Sequence, residues 1–190
     1  MSSPRPDNRL TKRGIPLYWT EKVSGFLTVE IIQSDNVIES VCAMSHPEDV
    51  TIALEPQGGT VLHDAIGFGV NKFSQRISAL PEHAQPKAIQ VIVVTDGEEN
   101  SSVEYSAKQI RKLIKSKQKD AAWDFVFLGA NQDAVTTGGN LGFSHDSSMT
   151  FTPSGPQVSM ASAATSRYIS DRRMGRRTGF SRHERRQSEG

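Results

Sequence analysis

Val91-Ile92-Val93-Val94-Thr95-Asp96-Gly97-Glu98-Glu99-Asn100 opens on an unbroken apolar run and closes on an acidic turn. Interrupted by Gln90 alone, the run reaches back to Ala88. Because it does not alternate, Ala88 to Thr95 reads as a central parallel strand covered on both faces. Asp96 therefore stands at the C-terminal end of a strand. Upstream, Gly58-Gly59-Thr60-Val61-Leu62-His63-Asp64-Ala65 sets a hydroxyl on a glycine turn just ahead of a helix. In an open α/β sheet, ligands sit in the crevice outside the strand C-termini. Two hard oxygen ligands at two such ends can converge on one small cation, and Mg²⁺ takes few protein ligands plus several waters.

Working outward, the periodicity supplies the other elements. Leu62, Ile66, Val70, Phe73, Ile77 and Leu80 are spaced three or four apart, which predicts a helix over 61–80 with one buried stripe. Ala107, Ile110, Leu113 and Ile114 predict a second helix over 105–117, with lysines at its C-terminal end where the dipole favours them. Phe26 to Ile32 and Val37 to Ala43 read as a β-hairpin around Ser34-Asp35-Asn36. Trp123 to Leu128 is a further strand, Asp133 to Gly142 a short helix closed by glycine, Met149 to Thr152 a short strand, and Pro156 to Ile169 a last helix. The expected fold is α/β: a doubly wound, mostly parallel sheet with right-handed crossovers and an antiparallel edge hairpin.

The 190 residues carry a net charge of +1, unevenly placed. From Asp171 to Gly190, seven arginines face Asp171, Glu184 and Glu189, whereas the centre of the chain is acidic. Three regions are expected: an irregular segment over 1–25, a domain over 26–170 and a disordered Arg-rich tail over 171–190. Cys42 is the single cysteine, which rules out an intrachain disulfide and a cysteine-based zinc site. No membrane span or signal peptide is visible, so the expected compartment is the cytoplasm.

The order hairpin, Gly-Gly-Thr helix, apolar strand ending in Thr-Asp-Gly, helix, strand resembles the von Willebrand factor A domain, in particular its small stand-alone bacterial and phage members. Trp123-Asp124-Phe125-Val126-Phe127-Leu128-Gly129-Ala130-Asn131-Gln132-Asp133-Ala134 resembles that subgroup as well. The resemblance implies a metal-ion-dependent adhesion site in which Thr60 and Asp96 take the positions of two metal ligands. It also implies Mg²⁺ or Mn²⁺ as the cofactor, and a partner protein whose acidic group completes the coordination. The family's Asp-x-Ser-x-Ser loop has no counterpart in this sequence, nor has the first central strand that carries it. Three resolutions are open: the patch Ile15 to Trp19 substitutes, the neighbouring strands close up, or the chain is an amino-terminally shortened form. Weak cation binding at best is expected, together with a sheet that is marginal, self-associating or dependent on a partner that donates a strand.

Each of these residues also has a structural duty open to it. Thr60 can cap the helix that follows. Asp96 can make an Asx turn, with Gly97 adopting special backbone angles. Asp64 can serve the helix dipole, and Glu98, Glu99 and Asn100 can simply solvate their loop. His63 and His145 are lone histidines outside any nucleophile pattern, and Gly138 to Gly142 reads as a helix stop. Three function classes follow: a metal-assisted protein-binding module, a degenerate metal-independent interaction domain, and, behind these, a metal-dependent hydrolase. An enzyme is not expected, because no second acidic cluster or base accompanies Asp96. Nucleic acid is not an expected partner, the Arg-rich tail being the one feature that suits it.

Overall fold

Phe125, Val126 and Phe127 are consecutive residues of one strand, and all three are almost wholly inaccessible. Since successive side chains of a strand point to opposite faces, that strand must be covered on both sides. The structure, a computed structural model, describes residues 27–34, 37–50, 59–119, 123–130 and 133–190. The segment 1–26, including Ile15 to Trp19, lies outside the described residues, as do Asp35, Asn36, Gly58, Asn131 and Gln132.

The described elements are, in order, β1 (Val29–Ser34), β2 (Ile38–Ser45), α1 (Leu62–Ser78), β3 (Ile89–Thr95), α2 (Ala107–Lys117), β4 (Trp123–Ala130), α3 (Ala134–Leu141), β5 (Ser148–Phe151), α4 (Pro156–Arg173) and α5 (Arg182–Glu189). β3, β4 and β5 form a parallel sheet in that order, with Ile89 opposite Trp123 and Phe127 opposite Ser148. β1 and β2 form a separate antiparallel pair with irregular register between Val29 and Ile32. α1 links the two units: Arg76 pairs with Glu30 of β1 at 2.6 Å, while Ile66 and Val70 join the core that covers β3 and β4. The fold is thus mixed α/β with a parallel sheet between helices.

The helices divide between the two faces. On one, Leu62, Ile66 and Val70 of α1 and Ile110 and Ile114 of α2 surround Phe125, Phe127 and Phe143. Aromatic rings chain through this core, with Trp123 stacked on Phe125 and Phe143 edge-on to Phe125. On the other, Ala161, Ala164 and Tyr168 of α4, with Phe180, cover Val126, Leu128, Met149 and Phe151. Local signals set the helix ends. Ser106 and Gln109 form a reciprocal capping box at the start of α2. Asp133 caps α3, and Gly142, at φ +96°, ends it in the left-handed conformation.

Two expectations need correction. β3 is nearly all apolar, yet among the described residues it pairs only with β4, so within the described sheet it is an edge strand rather than the central one. Ile92 is 38% exposed and Val94 47%, on the face opposite α1 and α2. β4, with a neighbour on each side, takes the central place. The segment 171–190 is not a disordered tail: α4 continues to Arg173, and α5 docks beside β5 through Ser188, which donates to the Thr150 carbonyl at 2.8 Å. Arginine charge masked this order. Arg167 binds Glu184 at 2.5 Å and Asp171 at 2.7 Å, so much of the segment's charge is spent on folding it. No helix among the described residues is long and apolar enough to cross a membrane.

Candidate functional site

α1 and β3 place Thr60 and the turn after Asp96 side by side. The Thr60 N–H donates to the Asn100 side-chain oxygen at 3.1 Å, and the Asn100 N–H donates back to the Thr60 carbonyl at 3.3 Å. A Cβ built on Gly97 would stand 2.5 Å from Thr60 Oγ1, so the hydroxyl lies directly against the residue after Asp96. Gly97 is therefore demanded by close approach. It does not take a left-handed backbone, contrary to the Asx-turn expectation. The turn is made instead by Thr95, whose hydroxyl donates to the Gly97 carbonyl at 3.0 Å and accepts the Gly97 N–H at 3.3 Å. Nor does Thr60 cap α1: the residue at the cap position is Val61, with no side-chain hydrogen bond. Asp96 is exposed, and among the described residues its carboxylate makes no hydrogen bond or ion pair.

The neighbouring acids are committed elsewhere. Asp64, 4% exposed, accepts the backbone N–H groups of Val103, Glu104 and Tyr105 at 2.8, 3.0 and 2.7 Å. Burial raises its carboxyl pKa, but the three donors outweigh that and hold it below the ordinary carboxylate value. Glu99 takes the backbone N–H groups of His63, Ser101 and Ser102 and the Ser102 hydroxyl. Here too burial works upward and the donors prevail, so the Glu99 pKa is lowered. The Ser102 hydroxyl in turn accepts the N–H groups of His63 and Asp64 at 3.1 and 3.2 Å. First-turn amides of α1 are thus satisfied by side chains about forty residues downstream.

These anchors were not legible in the sequence. Asp64 read as a dipole residue and Glu99 as loop solvation, because pairings at such separation leave no periodic trace. The one available signal was the number of Ser, Asp and Glu side chains on the two segments, enough to satisfy a helix start from outside. His63 sits with its Nδ1 3.7 Å from Glu99. His145 is exposed on the connection to β5, beside Asp146.

Chemically, the crest offers one hydroxyl, one uncommitted carboxylate and the exposed Glu98 beside it. Among the described residues no group of three or more His, Cys, Asp or Glu side chains could hold a metal ion. Thr60 and Asp96 are compatible with a cation bound mainly through water, but not with a complete protein cage. No family model, no curated protein and no solved structure matches the chain.

Proposed function

We propose that this chain is a von Willebrand factor A-like protein-binding module with a partial metal-ion-dependent adhesion site. Thr60 and Asp96 are its two protein ligands, and an acidic group of a partner protein is its target. The observation that carries the reading is the packing of the Thr60 hydroxyl against Gly97, next to an Asp96 carboxylate that no described residue engages. The anchoring of Asp64 and Glu99 supports it, because it holds both segments of the crest in place without spending Asp96. A Mg²⁺ or Mn²⁺ ion held there keeps most of its waters, and one of them is available for replacement by a partner carboxylate.

Calorimetric titration with Mn²⁺ tests this. Weak binding that Asp96→Ala removes is the expected result. A sub-micromolar dissociation constant abolished by Asp96→Ala would show that further ligands complete the site. A specific observation favours a second reading, a metal-independent interaction domain: the shortage of clustered ligands among the described residues. That reading predicts no Mn²⁺ heat and partner capture that is indifferent to EDTA.

A further inference from the structure

We propose a second binding surface, for the phosphate backbone of a nucleic acid, on the arginines that follow Tyr168. All nine lysines of the chain precede residue 120, whereas eight of its thirteen arginines fall between 167 and 186. The fold sorts those eight into two sets. Arg167, Arg172, Arg176 and Arg185 serve the fold: Arg167 joins Asp171 to Glu184, Arg172 lies 3.5 Å from Asp124 and over the Tyr168 ring, Arg176 reaches Asp171, and Arg185 donates to the Ser148 and His145 carbonyls. Arg173, Arg177, Arg182 and Arg186 are exposed, and their guanidinium groups make no hydrogen bond or ion pair among the described residues.

Two of the acids near this second set are already taken, which leaves the exposed Glu189 and Asp146 against four guanidinium groups. Asp171 is held by Arg167, Arg176 and the Thr178 hydroxyl, and Glu184 by Arg167 and the Ser181 N–H. Arg182 and Arg186, one helical turn apart, share a stripe of α5. Arg173 and Arg177 flank the turn at the end of α4, which is pinned by the Arg176 N–H on the Asp171 carbonyl at 2.8 Å. The segment that reads as a solvated tail is thus folded, with an excess of guanidinium groups over free carboxylates. Arginine, unlike lysine, offers a planar fork that engages two phosphate oxygens at once. Several such groups on one segment, with no lysine after residue 119, suit a chain that presents one phosphate after another.

The α4 part of this surface lies away from the Thr60–Asp96 crest. α4 ends beside Asp124, near the beginning of β4, where Tyr168 donates to the Asp124 carboxylate at 3.0 Å. Asp96 follows the last residue of β3. In a parallel sheet these are opposite ends, which separates Arg173 and Arg177 from the crest.

The test is fluorescence anisotropy of the full chain with a labelled 20-base-pair DNA duplex across a salt series, with polyglutamate and phosphatidylglycerol vesicles as competing polyanions. Binding is expected to weaken steeply with salt. The quadruple Arg→Gln variant at 173, 177, 182 and 186 is expected to lose at least about tenfold in affinity near 0.1 M salt, and to flatten the log–log salt slope by up to about 3–4, close to 0.9 per lost phosphate contact. The pair Arg182→Gln and Arg186→Gln alone is expected to give about half that change in slope. Arg111→Gln, which alters an arginine on α2, should leave the slope as it is. An unchanged slope in both multiple variants, or tighter binding to polyglutamate or to the vesicles than to the duplex, overturns the proposal.

Discussion

The Asp64 carboxylate accepts the backbone N–H of Tyr105 at 2.7 Å across 41 residues of sequence. With Val103 and Glu104 it makes one buried side chain the fastening between the start of α1 and the segment leading into α2. The crest carrying Thr60 and Asp96 is therefore held from below. Removing this fastening should disturb both stability and site. Asp64→Ala leaves three amides without their acceptor. An unmet buried donor costs about 1–3 kcal/mol, but this segment lies at the surface and partly rehydrates, so the expected loss is about 2–3 kcal/mol in all. Urea denaturation measures it. A change below about 0.5 kcal/mol, within the usual range for surface substitutions, contradicts the role assigned to Asp64.

The same contacts set a pH dependence. Asp64 and Glu99 both have folded pKa values below their ordinary ones, because backbone donors outweigh the upward push of burial. Wherever the folded state holds a carboxylate more acidic than the unfolded state does, the unfolded chain binds more protons and stability rises with pH. The contribution is thus fully present above the unfolded values, near about 4–4.5, and is lost as pH falls through the folded ones. Thermal midpoints recorded from pH 6 to pH 3 should fall more steeply for the parent chain than for Asp64→Asn. Parallel curves would remove Asp64 from this account.

Gly97 makes a sharper local test. A methyl placed there meets the Thr60 hydroxyl at 2.5 Å, so Gly97→Ala should push Thr60 away from Asp96 and cost about 1–3 kcal/mol through overpacking. Adding Thr60→Ala removes the obstructing oxygen and should recover most of the stability. It should not recover the proposed cation binding, since it deletes one of the two proposed ligands. A double-mutant cycle with calorimetry separates the two readouts. Additive stability losses would mean that the two residues do not touch.

How far these features were legible varies with the range of the interaction that produces them. The spacing of Leu62, Ile66 and Val70 and of Ile110 and Ile114 gave two helices and their buried faces, because a repeated local pattern records which side faces the core. The short helix closed at Gly142 was equally readable. The place of β3 was not: Ile92 and Val94 are as apolar as Val126 and Leu128, and only the pairing partners distinguish an edge strand from a central one. At the crest, the sequence marked Thr60 and Asp96 but gave no sign of the Asp64 and Glu99 anchors, which depend on contacts about forty residues apart. The last 20 residues were misread for a different reason. Their arginines count as solvated charge in a composition, whereas in the fold three of the seven arginines after Tyr168, and Arg167 itself, close ion pairs or reach carbonyls around a small apolar anchor.

That anchor is Phe180, and it provides the most direct test of the C-terminal segment. Its ring stacks on Tyr168 at 5.1 Å between centroids, and only 5% of the residue is exposed. The Phe180 N–H also donates to the Asp146 carbonyl at 2.8 Å, which ties the residue to the connection before β5. Replacing a buried Phe by Ala costs about 3–5 kcal/mol when the cavity does not collapse. At this peripheral site α5 can loosen in response, so Phe180→Ala is expected near the lower figure. Limited trypsinolysis gives an independent readout, since Arg177, Arg182 and Arg186 are exposed. In the parent chain these arginines should be cut slowly, because α5 is held by Ser188 and by the Arg167–Glu184 pair. In Phe180→Ala they should be cut early, while the core through β4 stays intact. Equal cleavage rates and equal thermal midpoints in the two proteins would show that residues 178–190 are a solvated tail, and the proposed arginine surface would fall with them.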